Sequence, residues 1–160
     1  MKEKLLVSAC LLGENCKYSG GNNYSPAVAD LAERYELVPV CPERLGGLPT
    51  PRTPSERVGD RVLARDGADV TDAFRLGAEK ALEIARVHGV RRAVLQERSP
   101  SCGCGTVYDG TFSGTLVPGD GVAAALLREN GVEVVGGSRL EKLDEGGQAA
   151  AAPPPNEGDT

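Results

Sequence analysis

Apolar and polar residues follow one another in short blocks along the chain, and the blocks differ in period. Four apolar runs, at residues 5–7, 37–40, 93–95 and 132–135, are rich in Val and Leu. Runs of this length are typical of strands that are buried on both faces. Between them lie segments in which apolar residues recur every three or four positions, the period of an amphipathic helix. The pattern therefore predicts alternating strands and helices.

Helix start signals locate three of these helices. Ser25 followed by Pro26 has the form of an N-cap and a first helical position. Thr71 is a second predicted cap, of a helix that runs to about His88, and a third helix is predicted over residues 120–130. The apolar stripe of the first helix consists of Val28, Leu31, Ala32 and Tyr35.

Alternation of strand and helix is typical of a parallel sheet with helices on both faces. We therefore expect an α/β fold, a Rossmann-like or flavodoxin-like three-layer sandwich with a mostly parallel sheet of about four strands. Asp66-Gly67 and Asp109-Gly110 favour small hairpins beside this sheet. Residues 42–57 form a long segment rich in Pro, Gly and charge, and long ordered loops are often functional.

The length and the net charge of the chain limit the classes of function that it can have. The chain has 160 residues, which suits one domain, and its net charge of −5 argues against a general nucleic-acid partner. No apolar run approaches the roughly 20 residues that a bilayer requires, and the N-terminus lacks the cleavage site of a signal peptide. We expect a cytoplasmic protein with one domain over residues 1–137. Residues 138–160, rich in Gly, Ala and Pro, are predicted to form a disordered low-complexity tail.

Three of the five cysteines stand at the ends of predicted strands. Cys10 ends the first strand, Cys41 ends the second, and Cys102 lies in the loop after the third. Parallel α/β sheets bind ligands beyond the carboxyl ends of their strands, so the three thiols should meet at one edge. They are either small buried hydrophobic side chains or part of a metal or cluster site. Because the chain has one histidine, such a site would be all sulfur, as in iron–sulfur clusters and some zinc sites. Cys16 or Cys104 could supply a fourth ligand.

Polar residues accompany these thiols. Glu43 lies two residues after one of them, and Ser101 directly precedes another. A carboxylate and a hydroxyl beside an exposed metal suit general acid–base chemistry, although both residue types are also common at turns and on the surface. Arg52 is placed either to bind an anion or to pair with Glu56. Gly46 would let the backbone approach a ligand closely.

Longer motifs occur together in a characteristic order. They are Ser8-Ala9-Cys10-Leu11-Leu12-Gly13, Cys41-Pro42-Glu43 with Gly46-Gly47-Leu48, Pro51-Arg52-x-Pro54-x-Glu56, Asp69-Val70-Thr71, Ser99-Pro100-Ser101-Cys102-Gly103, Tyr108-Asp109-Gly110-x-Phe112-x-Gly114 and Gly119-x-Gly121-Val122. In this order and spacing the set resembles a small bacterial domain, long of unknown function, whose characterised members include 2-thiouracil desulfidases. The resemblance covers about residues 4–136.

The resemblance implies a [4Fe-4S] cluster held by three cysteines, which would be Cys10, Cys41 and Cys102. Held in this way, the cluster would keep one iron open to a substrate. Cys16 falls where many relatives carry a residue that is not a ligand, so it is not assigned to the cluster.

The resemblance also implies the reaction. The sulfur of a thiolated pyrimidine such as thiouracil is replaced by oxygen from water, without net redox change, and sulfide is released. Glu43 and Ser101 fall on the family's catalytic carboxylate and hydroxyl. Glu43 would manage protons for the water and the ring, and Ser101 would position or protonate the substrate. Ser19 and Asn23 depart from the family's pattern, which leaves the identity of the substrate open.

A second class of function stands beside the enzyme: a non-catalytic iron–sulfur or zinc protein that stores sulfur or iron, or senses redox state. Such a protein would close its site with a fourth cysteine, whereas an enzyme needs an open metal position. For the enzyme, the expected partner is a small thiolated base. Neither nucleic acid nor a membrane is expected as a partner, and a homodimer is left open.

Overall fold

The computed structural model describes residues 2–143. Its strands are β1 (Glu3–Ser8), β2 (Tyr35–Val40), β3 (Ser55–Val58), β4 (Arg61–Ala64), β5 (Arg92–Leu95), β6 (Thr106–Tyr108), β7 (Leu116–Pro118) and β8 (Glu133–Gly136). Its α-helices are α1 (Pro26–Ala29), α2 (Pro42–Leu45), α3 (Thr71–His88) and α4 (Val122–Glu129), and 3-10 turns span Ala9–Leu12 and Asp30–Glu33. Across this part of the chain, no helix has the length and apolar character needed to cross a membrane.

Four strands form one parallel sheet in the order β2-β1-β5-β8. This confirms the predicted α/β fold, and the order matches the first four strands of a flavodoxin-like sheet. β2 is an edge strand, which explains how Pro39 fits opposite Val7, since a proline cannot donate to a ladder on both sides. The direction of the crossovers reverses between β1 and β5. In sheets of this kind, the ligand crevice lies at that point, beyond the carboxyl ends of the strands.

Side chains from the sheet alternate between two apolar clusters. Leu6 packs with Leu82 of α3 and Leu127 of α4. Its neighbour Leu5 packs in a separate cluster with Val28 of α1. Successive residues of a strand point to opposite faces, so helices cover the sheet on both sides. The three layers are those predicted, although short helical turns make up much of the second outer layer.

Two hairpins lie beside the sheet, but their turns differ from those predicted. β3 and β4 pair across residues 59–60, where Gly59 has the positive φ (63°) that a tight hairpin turn needs. The Asp-Gly pair at residues 66–67 forms a separate turn after β4. β6 and β7 pair across residues 109–115, so the second Asp-Gly pair begins a longer loop.

The first helix is shorter than its apolar stripe predicts. Ser25 caps α1 as expected, because its hydroxyl accepts a hydrogen bond from Val28 N at 3.2 Å. The chain then tightens into the 3-10 turn Asp30–Glu33. The assignment of Tyr35 to the helical stripe is wrong, since this residue begins β2 and is buried there.

Helix α3 has the predicted bounds, but Thr71 is its first residue and not its cap. The Thr71 hydroxyl donates to Asp69 Oδ1 at 2.6 Å and accepts from Val62 N at 2.8 Å. The buried hydroxyl therefore joins the start of α3 to strand β4. This contact gives the Asp69-Val70-Thr71 motif a structural role.

The packed chain continues beyond the predicted domain boundary at residue 137. Residues 138–143 lie against the sheet, and Leu143 is fully buried in the same cluster as Leu5. The Arg92 guanidinium donates to the Leu143 carbonyl, and Leu140 packs at the edge of the cluster. Two leucines thus anchor a segment whose overall composition predicts disorder. The rest of the predicted tail lies outside the described residues.

Leu143→Ala tests this anchor. Because it removes a fully buried side chain, we expect the free energy of unfolding to fall by about 2–5 kcal/mol, measured by urea denaturation. Val87→Ala, at a largely exposed position of α3, is the control and should change stability by no more than about 0.5 kcal/mol. Equal effects in the two variants would show that the 138–143 segment contributes nothing to the fold.

Candidate metal centre

The carboxyl ends of β1, β2 and β5 open onto a cavity of about 620 Å³. Cys10, Cys41 and Cys102, called the strand-end thiols below, all line this cavity. The strand pattern predicts that parallel pairing brings three cysteines from distant parts of the chain to one edge of the sheet. The structure places them there.

Cys10 lies in the 3-10 turn that directly follows β1, and Gly13 ends this turn in the left-handed conformation, with φ of 97°. Asn23 holds Cys10 at two atoms. Its backbone N–H donates to the Cys10 carbonyl at 2.9 Å, and its side-chain amide donates to Cys10 Sγ at 3.5 Å. The returning end of the 13–25 loop therefore orients the first thiol.

Cys41 lies between β2 and α2, and α2 crosses α3 at very close range. A Cβ atom on Gly46 would lie 1.9 Å from the Ala73 carbonyl oxygen, and one on Gly77 would lie 1.8 Å from the Pro42 carbonyl oxygen. Glycine is therefore required on both helices. The expectation that Gly46 serves ligand approach is wrong: it lets α2 rest on α3, and this contact fixes Cys41 at the cavity.

Cys102 lies in a loop that is clamped from both ends. The Ser99 hydroxyl accepts hydrogen bonds from the backbone N–H groups of Ser101 and Cys102, both at 3.0 Å. The Ser101 carbonyl accepts from Ala123 N at 2.8 Å, so the loop caps the start of α4. A Cβ atom on Gly121 would lie 2.4 Å from the Ser101 carbonyl carbon, which requires glycine at this contact.

Polar groups also lie at the other two strand-end thiols. The Cys41 thiol donates a hydrogen bond to the Cys16 carbonyl at 3.9 Å. The Ser8 hydroxyl accepts from Gln96 N at 2.8 Å. Burial raises the pKa of Cys102 to about 12, because a thiolate loses its hydration there, and the Ser8 hydroxyl opposes this rise.

Cys16 is a fourth thiol in the cavity, and only 2% of it is exposed. Its backbone carbonyl accepts a hydrogen bond from the Cys41 thiol at 3.9 Å. Interaction between the thiols of Cys10 and Cys16 lowers the pKa of Cys10 and raises the pKa of Cys16, and interaction with the Cys16 thiol raises the pKa of Cys41. Cys104 does not line the cavity, and Arg128 donates to its sulfur at 2.6 Å. Of the two cysteines considered as a fourth ligand, Cys16 is the one at the site.

Glu43 lines the cavity from the first turn of α2. Arg52 Nε donates to Glu43 Oε1 at 2.9 Å, and Arg52 Nη2 contacts the same oxygen. Both side chains are largely buried, and Arg52 Nη2 also donates to the Cys16 carbonyl at 3.0 Å. The pairing of Arg52 with Glu56, one of the two alternatives considered, is therefore not observed. Glu56 instead accepts from Gly110 N at 2.9 Å.

Ser101 occupies a different position from the one its predicted role implies. Its side chain is buried, and it is not among the residues that line the cavity. The Ser101 hydroxyl makes no hydrogen bond of normal geometry, yet it lies close enough to the Cys102 thiol to favour the thiolate. In this arrangement the neighbour of Ser101 at the site is the Cys102 thiol.

The wall of the cavity also contains residues to which sequence reasoning gave no role. Lys17, Arg65 and Arg98 contribute positive charge, and Tyr108 and Phe112, which belong to one of the quoted motifs, contribute aromatic surface. The Arg65 guanidinium lies 5.4 Å from the centre of the Phe112 ring, within cation–π range. The three cations come from separate loops and the two aromatic residues from the β6–β7 hairpin, so no single spacing in the sequence marks the five as a group.

The donor set of the cavity fits an iron–sulfur cluster. Cysteine thiolates are the usual ligands of such clusters, and the strand-end thiols offer sulfur donors from three separate elements. Within residues 2–143, no group of three or more His, Cys, Asp or Glu side chains is placed to hold a single metal ion. A four-iron cluster with three cysteine ligands has one iron without a protein thiolate. Glu43 lines the same cavity, where its carboxylate would be available for proton transfer.

Comparison with known proteins gives the family. A family model described as 2-thiouracil desulfurase matches residues 5–138, so the chain belongs to this family. An uncharacterized protein of Bacillus subtilis strain 168, YbbK, is 38% identical over 149 residues, which is 87% of this chain and 99% of the relative. A solved structure described as the [4Fe-4S]-dependent thiouracil desulfidase TudS is 43% identical, with a TM-score of 0.86. That match covers 92% of this chain and 99% of TudS.

These comparisons confirm the resemblance to thiouracil desulfidases and the predicted fold. The expectation of a [4Fe-4S]-dependent desulfurating enzyme agrees with the family and with the description of TudS. The matched region includes the strand-end thiols as well as Glu43 and Ser101. The roles of these individual residues stay predictions.

Gly121→Ala tests the clamp on the Cys102 loop. The added methyl group meets backbone atoms that cannot rotate away, so we expect a loss of at least about 1–3 kcal/mol in the free energy of unfolding. Glu129→Ala, at the exposed end of α4, is the control and should unfold like the original chain. Stability of Gly121→Ala equal to that of the control would contradict the close contact between α4 and this loop.

Proposed function

We propose that this protein is a [4Fe-4S]-dependent desulfidase of thiouracil or a related thiolated pyrimidine. The overall reaction hydrolyses a C=S group: water supplies oxygen to the ring carbon, and sulfur leaves as sulfide. The observation that carries the proposal is the convergence of the three strand-end thiols and Glu43 on one cavity. The family and the description of TudS support it.

The strand-end thiols would hold the cluster. Each comes from a different strand end, and each is oriented by a hydrogen bond: Asn23 donates to the Cys10 sulfur, the Cys41 thiol donates to the Cys16 carbonyl, and the Ser99 hydroxyl accepts from Cys102 N. When bound, the cluster supplies an open iron that acts as a Lewis acid toward the substrate sulfur. The cavity around it admits a small planar base.

Glu43 would move the protons. Both contacts from Arg52 go to Oε1, so Oε2 is the oxygen that takes a proton from the attacking water. Arg52 fixes the carboxylate in place, and this positioning is worth most when it is set before the substrate arrives. A positioned carboxyl group then returns the proton to the ring or to the departing sulfur.

Ser101 would act on the reaction indirectly, through its contact with the Cys102 thiol. Its hydroxyl lies by Cys102 and outside the cavity lining. It would therefore influence how Cys102 holds the cluster more than how the substrate binds. For this reason Ser101→Ala should reduce turnover less than a change at Glu43 does.

The ligand assignment is tested by single substitutions. Cys10→Ala, Cys41→Ala and Cys102→Ala should each abolish cluster binding, because each removes a thiolate. Anaerobic reconstitution followed by iron analysis and absorption spectra measures this. Cys104→Ala, which changes a thiol outside the cavity, and Cys16→Ala should retain the cluster. Near-normal iron content in any of the first three variants would remove that residue from the ligand set.

The catalytic assignment is tested by Glu43→Gln, which keeps the size of the side chain. We expect the variant to keep its fold and cluster and to lose turnover by roughly 10²–10⁴-fold, the usual effect of removing a positioned acid–base group. The assay follows conversion of 2-thiouracil to uracil and sulfide. Glu14→Gln is the matched control, since Glu14 is exposed and pairs only loosely with Arg44.

Two results would count against these assignments. Turnover by cluster-loaded Glu43→Gln within a few-fold of the original enzyme would exclude Glu43 from the mechanism. Absence of activity on any thiolated pyrimidine in the fully loaded original enzyme would favour a non-catalytic iron–sulfur protein.

A further inference from the structure

Cys16 is a buried thiol that the proposed mechanism does not use. It lines the same cavity as Cys10 and Cys41, and its backbone carbonyl accepts a hydrogen bond from the Cys41 thiol at 3.9 Å. Both of these cysteines are proposed cluster ligands. Its backbone lies in an irregular segment between two turns, whereas Cys41 is fixed by the crossing of α2 and α3. Cys16 is therefore the thiol of this group whose main chain has no helix or strand to restrain it.

We propose that Cys16 is an oxidation site of the cluster-free protein, where it forms a disulfide with Cys10 or with Cys41. A disulfide requires the two sulfurs to approach to about 2.05 Å. The Cys41 sulfur already lies 3.9 Å from the Cys16 carbonyl oxygen, and Cys10 lines the same cavity. The segment around Cys16 lies outside the sheet, so its movement would break the hydrogen bond from Arg52 to the Cys16 carbonyl and leave the strands in place.

The chemistry needs a peroxide as oxidant. A thiolate attacks the peroxide to give a sulfenic acid, and the O–O bond breaks with release of hydroxide. The second thiol then attacks this sulfur, the S–O bond breaks, and water leaves with the remaining proton. The two thiols lose two electrons in total and the peroxide gains them. A dithiol reductant reverses the reaction by thiol–disulfide exchange.

The consequence for the cofactor rests on the proposed function, through the ligand roles of Cys10 and Cys41. A sulfur in a disulfide cannot bind iron as a thiolate. Oxidation at Cys16 would therefore block assembly of the cluster until a reductant reopens the bond. A bound cluster would in turn occupy the ligand thiol and prevent the disulfide.

Trypsin cleavage distinguishes the two possible disulfides of Cys16, because Cys10 and Cys41 fall in different tryptic peptides. Cleavage after Lys and Arg leaves Cys10 and Cys16 together in the peptide over residues 5–17, and Cys41 alone in the peptide over residues 35–44. A Cys10–Cys16 disulfide therefore lowers the mass of one peptide by about two hydrogens. A Cys16–Cys41 disulfide joins two peptides. Cys102 and Cys104 share a third peptide, over residues 99–128.

The experiment treats the full-length cluster-free protein with hydrogen peroxide, alkylates the remaining thiols and maps the peptides by mass spectrometry. A disulfide that includes Cys16 supports the proposal. Cys16→Ser should remove that disulfide, whereas the matched control Cys104→Ser should keep it. Free Cys16 after oxidation, or a disulfide between other cysteines in its place, would overturn the proposal.

Cluster reconstitution is then compared before and after treatment with dithiothreitol. We expect the oxidised protein to regain cluster absorption only after reduction, and peroxide-treated Cys16→Ser to load without it. If the oxidised original protein binds the cluster without reduction, the disulfide does not block assembly and that part of the proposal is overturned. If the Cys10 and Cys41 variants keep their iron, the ligand assignment is refuted instead. The peptide map would still decide whether Cys16 is oxidised.

Discussion

Parallel pairing of β1 with both β2 and β5 is the constraint on which the site depends. These three strands run in the same direction, so their carboxyl ends lie together and carry Cys10, Cys41 and Cys102 to one edge. An antiparallel partner at either position would send its following loop to the opposite edge. The register Ser8↔Val40 also brings the ends of β1 and β2 level with each other. Apolar burial on both faces of the sheet stabilises this pairing, and the pairing in turn fixes the positions of the three thiols.

The loops beyond the strands are made rigid by close backbone contacts. At Gly46 and Gly77, α2 and α3 touch through atoms that have no rotamers to change. At Gly121, α4 presses on the loop of Cys102 in the same way. Backbone contacts of this kind leave little freedom for adjustment, since protein interiors are close-packed. Gly46, Gly77 and Gly121 therefore serve contacts between helices and loops.

The parts of this structure that could be predicted are those that depend on a repeating pattern. The four strands and α3 follow from apolar period, and the convergence of the strand-end thiols follows from parallel topology. The partner of Arg52 does not, because it depends on the path of a loop with no period. The pattern places Tyr35 in a helix because three-residue spacing continues across the boundary, although the helix ends early. Composition places Leu143 in a tail because the average over a segment does not show that one leucine in it is buried.

The same arrangement recurs at each reactive atom of the site, and it explains why so many separate motifs are needed. Asn23 orients the sulfur of Cys10, and Ser99 holds the backbone of Cys102. Arg52 orients the Glu43 carboxylate from a loop nine residues further along the chain. Hydrogen bonds of this kind hold a ligand or a base in one orientation. Each supporting residue lies in a different element from the next, so the site is complete only when all of these elements are folded.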